Sequence, residues 1–176
     1  MKIYIMTYPG STTINKCVDR YKELGYDPIV FMGKCVKNDN VPSNTVMFVN
    51  MINLLDSIHL TEDIIVSEDD VYLNEKIEVK NKDIINWLGY WNVTKHFIMG
   101  AMLLYYPVDC LPHVKRQFKS KLPQHLDGFI HKYFQYELRD KPICLEIPHK
   151  SIILEQYSKG TKSIRTHKYM LPYDKS

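Results

Sequence analysis

Residues 64–72 read Ile-Ile-Val-Ser-Glu-Asp-Asp-Val-Tyr, and this stretch decides how the fold is interpreted. It opens with β-branched apolar residues, a pattern typical of a strand that is buried on both faces. Glu68, Asp69 and Asp70 follow, and burying such ionised groups side by side costs free energy through desolvation and mutual repulsion. They are most stable at the open carboxyl edge of a sheet, where α/β proteins bind ligands and a divalent cation can neutralise them. The alternative is an acidic turn without a ligand, because Asp is common in turns.

The residues on either side of this stretch predict an α/β fold. Apolar runs that suit strands alternate with segments whose apolar residues recur at helical spacing, as Ile14, Cys17 and Tyr21 do. Gly25 stands where a helix usually ends, and the opening strand–helix–strand unit is expected to be parallel. The predicted elements of this half are a strand at 2–7, a helix capped by Ser11, Thr12 or Thr13 and running to about 24, a buried strand at 28–32, a helix at about 44–58 and the strand at 64–67.

The pattern changes after residue 73. The predicted elements are a mixed polar segment at 74–92, two strand pieces at 96–106 around Gly100-Ala101, helices at 108–119 and 127–138, short strands at 143–147 and 151–154, and a basic tail from 157 onward. A chain of 176 residues favours one domain. We therefore expect a single domain over residues 1–176, divided into a nucleotide-binding half (1–73), an acceptor half (74–156) and a basic tail (157–176).

The composition indicates an ordinary soluble protein, with 45% hydrophobic and 24% charged residues. A net charge of +3 is too small to argue for a nucleic-acid partner by itself. The four cysteines lack C-x-x-C spacing, which favours buried thiols in a reducing compartment over a zinc site. No signal peptide or membrane span is evident in the sequence. We expect a cytoplasmic protein, or one of the host cytoplasm if the compact, Lys-, Asn-, Ile- and Tyr-rich chain is viral.

Two common nucleotide-binding motifs are absent from the sequence, G-x-G-x-x-G and the Walker lysine loop. Their absence argues against a dinucleotide enzyme and a P-loop NTPase. The acidic strand end is then the candidate site for a cation. Mg²⁺ and Mn²⁺ suit it better than Ca²⁺, because they keep bound water and take only one or two carboxylates.

The order of these features resembles small glycosyltransferases of the GT-A fold. The closest resemblance is to the lipooligosaccharide-type galactosyltransferases, whose acidic strand-end motif reads E-D-D. The shared features, in chain order, are the first strand and its loop, a helix bearing Arg20, the triplet Glu68-Asp69-Asp70, the Gly100-Ala101 strand and Asp127 at the start of a helix. The resemblance covers most of the chain and implies a single GT-A-like, Rossmann-related α/β domain, with a mixed, mainly parallel central sheet flanked by helices.

The resemblance also implies a metal-dependent site for a nucleotide sugar, with a UDP-sugar favoured. Asp70 would bind the metal and the diphosphate, while Glu68 would lie on the ribose side and serve as a further metal ligand. Asp69 would belong to the same donor site. Thr7 and Tyr8 would hold the base and ribose, by their position at the end of the first strand.

Several basic residues are candidates for the donor phosphates, and each has a structural alternative. Arg20 could reach the diphosphate, or it could form a surface salt bridge on its helix. The C-terminal candidates Lys159, Lys162 and Arg165 could close over the phosphates, or they could belong to a solvated terminus.

Asp127 is the candidate catalytic base, because an acceptor hydroxyl needs a carboxylate within hydrogen-bonding reach. The structural alternative is a helix cap, for which Asp is favoured. A late histidine often serves as an additional metal ligand in the resembled enzymes. In this chain the corresponding run at 151–156 ends with Gln156, which is therefore the candidate third ligand.

The function predicted from these residues is transfer of a sugar from a nucleotide-diphosphate sugar, with Mn²⁺ or Mg²⁺, to a hydroxyl acceptor. The acceptor would be a glycan or, as a second choice prompted by the basic tail, a hydroxylated DNA base. One alternative is a nucleotidyltransferase, although that class usually needs a glycine-rich basic loop, which 8–12 resembles only weakly. The other alternative is a non-catalytic module that binds nucleotide sugars.

Overall fold

The computed structural model describes residues 1–34, 45–73, 75–79, 82–89, 92–93, 98–99, 103–130, 145–146, 153–157 and 164–166. For Asp127, for some residues of the strands between 85 and 99, and for the strands from residue 145 onward, the description is of the backbone. The elements are β1 (Lys2–Thr7), α1 (Ile14–Glu23), β2 (Ile29–Met32), α2 (Val46–Ser57), β3 (Ile64–Glu68), β4 (Val71–Leu73), β5 (Ile85–Gly89), β6 (Asn92–Val93), β7 (Ile98–Met99), β8 (Leu103–Tyr106), a 3₁₀ turn (Val108–Cys110), α3 (Leu111–Ser120), α4 (Leu126–Ile130), β9 (Leu145–Glu146), β10 (Ile153–Tyr157) and β11 (Ile164–Thr166).

Six of the described strands form a mixed sheet in the order β2-β1-β3-β8-β5-β9. β1 is parallel to β2 and β3, and β5 is parallel to β9, whereas β8 is antiparallel to both of its neighbours. The prediction of an α/β fold with a mixed, mainly parallel sheet is confirmed. β4 lies outside this sheet and pairs with β10 in a second, antiparallel sheet of order β11-β10-β4, and β6 pairs with β7.

One face of the central sheet is covered by α2, α3 and α4. Successive side chains of a strand point to opposite faces, so Tyr4 and Met6 of β1 contribute to the core on this side. Phe48 of α2, Phe118 of α3 and Phe129 of α4 form an aromatic cluster whose ring centroids are 4.6–5.0 Å apart. These rings fix the three helices against one another.

The other face of the sheet is covered by α1 and β4. Ile3 and Ile5 of β1 pack there with Cys17 and Tyr21 of α1 and with Val71 of β4, all of them buried. β4 therefore lies on the α1 side of the sheet, opposite α2, α3 and α4.

The end of α1 was predicted from the sequence and is confirmed. Gly25 has φ +83°, a conformation that residues with a Cβ adopt only with strain. The N–H of Gly25 donates to the carbonyl of Lys22 (2.8 Å), and the N–H of Tyr26 donates to the carbonyl of Tyr21 (3.0 Å). This is the Schellman arrangement, which satisfies the last carbonyls of a helix.

The prediction that residues 28–32 form a buried strand is correct for the strand and wrong for its burial. Ile29, Val30 and Met32 are 41%, 43% and 53% exposed. β2 is an outer strand of the described sheet. Apolar composition identifies a strand but does not show whether its neighbours cover it.

Two further segments contain strands that the sequence did not indicate. β5 lies within the segment 74–92, which has no clear strand pattern, and β11 lies within the basic tail. The strand pieces within 96–106 and the helix near 108–119 are confirmed by β7, β8 and α3. Of the helix predicted at 127–138, the described part is α4, and residues 131–138 lie outside the described residues.

Cys17 and Cys110 are buried free thiols, as predicted for this chain, while Cys35 and Cys144 lie outside the described residues. Within the described part of the chain, every helix is too short or too polar to cross a membrane.

Candidate functional site

The acidic triplet lies at the carboxyl edge of the central sheet. Glu68 is the last residue of β3, Asp69 and Asp70 form a turn, and Val71 begins β4. Met6 of β1 pairs with Glu68 in parallel register, so the two strands end together. Asp69 is fully buried, Asp70 is 6% exposed and Glu68 is half-buried. The side chains of Asp69 and Asp70 are therefore held in the protein, while Glu68 keeps part of its surface in contact with solvent.

Thr7 connects the end of β1 to the acidic turn. Its Oγ1 donates a hydrogen bond of 2.5 Å to Oδ2 of Asp69, and its carbonyl accepts a hydrogen bond of 2.7 Å from the N–H of Gly33. Thr7 is itself buried. The sequence placed Thr7 at the end of the first strand and assigned it to the base and ribose of the donor, which stays a prediction; the contact of its hydroxyl with Asp69 was not predicted. Tyr8, the next residue, is half-buried, and its predicted contact with the donor stays a prediction.

Gly33 and Asn50 were missed by the sequence analysis. Gly33 follows β2, and a Cβ at this position would overlap the side-chain amide of Asn50 on α2. The amide of Asn50 can therefore occupy its present place over the strand end because residue 33 has no Cβ. Asn50 is 1% exposed within an otherwise apolar part of α2. In the sequence, an asparagine among the apolar residues of this helix could have indicated that the helix places a polar side chain near this edge of the sheet.

Cys17 connects α1 to the start of the acidic turn. Its Sγ donates to the carbonyl of Glu68 at 3.7 Å. Burial raises the pKa of the Cys17 thiol to about 12, and the negative charges of Asp69 and Asp70 contribute to the same shift. The thiol is protonated at neutral pH, so Cys17 is a packing and hydrogen-bonding residue and not a nucleophile.

Arg20 connects α1 to the strand that leaves the acidic turn. Its Nε donates to the carbonyl of Leu73 at 2.5 Å, and its guanidinium carbon lies 5.0 Å from the centre of the Tyr72 ring. Its Nη1 also pairs with Glu23 at 2.9 Å, which is the helix-surface salt bridge foreseen as the alternative. These contacts hold β4 against α1. Binding of a diphosphate by Arg20 stays a prediction.

The register of the second sheet places Gln156 and Arg165 near the acidic turn. Gln156 of β10 pairs with Val71, the residue that follows Asp70, and Arg165 of β11 pairs with Gln156. Adjacent strands lie about 4.8 Å apart, so the backbone of Arg165 is roughly 10 Å from that of Val71. Lys159 and Lys162 lie outside the described residues.

Asp127 is the second residue of α4, and its side chain lies outside the described residues. Leu126, Phe129 and Ile130 are buried in the core on the α2 side of the sheet. The strand β4 lies on the other side. The described contacts fix α4 through its apolar residues and leave the catalytic assignment of Asp127 as a prediction.

The oxygen atoms at the acidic turn are of the type that Mg²⁺ and Mn²⁺ bind. Such a cation would take few ligands from the protein and most of them from water and substrate phosphates. Among the described residues, no three His, Cys, Asp or Glu side chains come together as a metal-binding group. Glu68 and Asp70 offer carboxylates on either side of Asp69, whose Oδ2 accepts the Thr7 hydroxyl. Mg²⁺ and Mn²⁺ commonly take one or two carboxylates and fill the remaining positions with water and substrate phosphates. The donor types present are those such a cation takes, and its binding by Glu68 and Asp70 stays a prediction.

No family profile and no curated protein sequence matches the chain. Solved structures do match. A glycosyltransferase involved in the glycosylation of the major capsid of PBCV-1 superposes with a TM-score of 0.55 and 12% identity, over 84% of this chain and 81% of that one. The protein A197 from STIV superposes with a TM-score of 0.50 and 10% identity, over 99% and 95% of the two chains.

The chain has a glycosyltransferase-like fold. At such low identities the similarity extends to the fold alone. The closer relationship to the lipooligosaccharide-type galactosyltransferases, inferred from the E-D-D triplet, remains a prediction.

Proposed function

We propose that the protein is a glycosyltransferase that moves a sugar from a nucleotide-diphosphate sugar to a hydroxyl acceptor. The observation that carries the proposal is the pair of adjacent buried carboxylates, Asp69 and Asp70, at the carboxyl edge of the sheet. Ligands of open α/β sheets bind at this edge. The similarity of the fold to a glycosyltransferase, over 84% of the chain, adds to it.

In this proposal the donor diphosphate lies at the acidic turn. Glu68 and Asp70 would hold Mn²⁺ or Mg²⁺, which when bound neutralises the charge that develops on the leaving diphosphate. Gln156 pairs with Val71 and Arg165 pairs with Gln156, which supports the proposal that both side chains contact the same ligand. An arginine is well suited to phosphate because its planar fork makes two parallel hydrogen bonds. A UDP-sugar is the donor that we propose to test first.

The acceptor hydroxyl would attack the anomeric carbon of the sugar. The new bond forms between the acceptor oxygen and that carbon, and the bond between the carbon and the diphosphate oxygen breaks. The hydroxyl proton passes to a carboxylate, for which we propose Asp127, and the electron pair leaves with the diphosphate. A glycan is the proposed acceptor, and a hydroxylated DNA base is the second acceptor to be tested.

The proposal is tested by calorimetric titration of the protein with UDP in the presence and absence of Mn²⁺, followed by a screen of nucleotide sugars for thermal stabilisation. We expect UDP to bind, and to bind more tightly with Mn²⁺. Hydrolysis or transfer from a stabilising donor would then identify the sugar. If nucleoside triphosphates bind while UDP and its sugars do not, the protein is a nucleotidyltransferase-type enzyme and the proposal is wrong.

A further inference from the structure

We infer that Thr7 and Asp69 form a positioning pair, which sets the geometry of the acidic turn without contacting the nucleotide sugar. The inference rests on the proposed function for the identity of the ligand, because the turn is taken to bind a cation and a diphosphate. It reassigns two residues that the sequence placed among the donor-binding groups. Glu68 and Asp70, on either side of Asp69, are then the acids that contact the ligand.

The hydrogen bonds around Thr7 connect three chain segments in a line. Gly33, after β2, donates to the carbonyl of Thr7 (2.7 Å), and the Thr7 hydroxyl donates to Asp69 (2.5 Å). Residues 7 and 69 are 62 positions apart in the sequence, so this contact ties β1 directly to the turn between β3 and β4. The hydroxyl and the carbonyl of Thr7 are thus both engaged within the protein.

Burial separates Asp69 from its two acidic neighbours. Asp69 has no exposed surface, whereas Asp70 keeps 6% and Glu68 is half-buried. A group with no exposed surface cannot meet a ligand that arrives from solvent unless the turn rearranges. The Thr7 hydroxyl donates to Oδ2 of Asp69 and so stabilises the side chain in its buried position, and the backbone of the turn is held with it.

The two segments that flank Asp69 are also attached to α1. Cys17 donates to the carbonyl of Glu68, and Arg20 donates to the carbonyl of Leu73. With Glu68 and Asp69 held, and with the strand that leaves the turn held at Leu73, the carboxylates of Glu68 and Asp70 are kept in place before a ligand binds. Such preorganisation lowers the free energy needed to order the site on binding.

The first experiment measures the turn without any ligand, by following the alkylation of Cys17 in the native protein with peptide-resolved mass spectrometry. Cys17 is buried against the carbonyl of Glu68, so its labelling reports opening of the turn. We expect Thr7→Val, which keeps the shape and removes the hydroxyl, to label Cys17 about tenfold faster, the effect of leaving a buried acceptor without its donor. Thr7→Ser keeps the hydroxyl and should label at the wild-type rate.

Two controls separate opening of the turn from loss of global stability. Cys110 is buried on the opposite side of the sheet, so in Thr7→Val the Cys17 rate should rise by a larger factor than the Cys110 rate, and in Thr7→Ser neither rate should change. Ile85→Val shortens a fully buried side chain of β5 and lowers stability without touching the turn. In that variant the ratio of the Cys17 and Cys110 rates should stay at the wild-type value.

The second experiment compares Mn²⁺ affinity in the presence of UDP, measured by the relaxation of water protons. We expect Asp69→Asn to bind within a few-fold of wild type, because an amide oxygen still accepts from Thr7. Asp70→Asn should lose the binding. Thr7→Val should bind about tenfold more weakly, and Thr7→Ser should restore the affinity.

The inference is overturned if Thr7→Val labels Cys17 at the wild-type rate, or if Asp69→Asn abolishes Mn²⁺ binding while the labelling of Cys17 is unchanged. The second result would make Asp69 a ligand-contacting residue. If the wild-type protein binds neither Mn²⁺ nor UDP, the proposed function fails, and the Cys17 labelling of Thr7→Val and Asp69→Asn still decides whether the pair holds the turn.

Discussion

β3 is flanked by an aspartate at each end, and the two residues differ in their surroundings. At the amino end, Asp63 is half-buried, and each of its carboxylate oxygens accepts one hydrogen bond, from the Tyr105 hydroxyl (2.9 Å) and from the N–H of Val108 (3.0 Å). At the carboxyl end, Asp69 accepts from Thr7 and is followed at once by a second buried acid, Asp70.

The acid before Asp63 is neutralised by cations. Glu62 pairs with the N-terminal amine at 2.9 Å and with Lys2 at 3.0 Å, which lowers the pKa of Glu62 and raises the pKa of Lys2. An acid at a strand end is therefore not by itself a sign of function. At the amino end the acids meet a tyrosine hydroxyl, a backbone N–H and two cations, whereas at the carboxyl end two consecutive acids, Asp69 and Asp70, are both buried.

The largest expected effect is that of Asp70→Ala. We expect it to abolish Mn²⁺-assisted binding of UDP and to leave the melting temperature unchanged or higher, since repulsion with Asp69 is relieved. Calorimetric titration and thermal unfolding measure the two quantities.

Asp63→Ala is the matched variant at the other end of β3. It should lower the free energy of unfolding by about 1–3 kcal/mol, because Tyr105 and Val108 lose their acceptor, and should leave UDP affinity unchanged. Normal turnover by Asp70→Ala would show that the acids at the carboxyl end of β3 are no more functional than those at the amino end.

Asp127→Asn should lower turnover by roughly two to four orders of magnitude with UDP affinity intact, the range expected for a general base. Steady-state rates with a matched donor and acceptor, together with calorimetry, provide the test. An unchanged rate would show that Asp127 has no catalytic role, and the functional residues at the end of the sheet would then be those of the acidic turn.

Arg165→Ala should weaken the binding of UDP by about tenfold, because a hydrogen bond between charged groups is lost. Arg116→Ala is the control, since Arg116 is an exposed arginine of α3 and the change in net charge is the same. Equal effects of the two substitutions would mean that only overall charge matters and that the register of β11 with β10 has no role in binding.

At the amino end of β3, Tyr105→Phe should lower the free energy of unfolding by about 1 kcal/mol and leave UDP binding unaltered. The Tyr105 hydroxyl donates to Asp63 and to the carbonyl of Lys82 (3.0 Å), and burial, reinforced by the bond to Asp63, raises its pKa. Tyr106→Phe is the control, because the buried Tyr106 hydroxyl has no hydrogen-bond partner among the described residues. Denaturant titration should show Tyr106→Phe to be neutral or stabilising. An equal loss of unfolding free energy in Tyr105→Phe and Tyr106→Phe would show that the hydrogen bond between Tyr105 and Asp63 does not contribute to stability.

The smallest effect is expected from an exposed acid away from β3. Hydrogen bonds from Lys115 and Lys119 lower the pKa of Asp56 in the folded protein. The stabilisation is therefore present above the ordinary Asp pKa of about 4 and is lost as the pH falls through the lower folded value. In melting curves across pH, the difference between wild type and Asp56→Asn should be constant near neutrality and shrink in acid. A difference that persists at the lowest pH would contradict the assignment.

Residues 64–72 show how far a local pattern reaches. Their β-branched start and acidic end predicted a strand with carboxylates at the sheet's edge, because side-chain burial and charge repulsion act locally. The same residues did not reveal that Val71 starts a strand in a different sheet. That strand pairs with β10, more than 80 residues further along the chain, and a pairing over such a distance leaves no local pattern.

Asn50 and β2 show the same limit. Asn50 lies against Gly33 only because α2 packs over the end of β2, and nothing in either local sequence records that approach. The exposure of β2 likewise depends on its place at the outside of the described sheet, which is a property of strand order. For Asp127, the sequence placed an acid on a helix, and the packing of Phe129 between Phe48 and Phe118 placed that helix.

The sequence by itself determined the α/β class, the first βαβ unit, the end of α1 at Gly25 and the position of three acids at a strand end. Each of these follows from interactions within a few residues, namely apolar periodicity, backbone conformation and the repulsion of adjacent charges. Only the tertiary structure decided that Asp69 is fully buried against Thr7, that β4 lies outside the central sheet, and that Gln156 pairs with Val71 while Arg165 pairs with Gln156. These are contacts between segments distant in sequence, and their geometry is set by the packing of α1 and α2 on the two faces of the sheet.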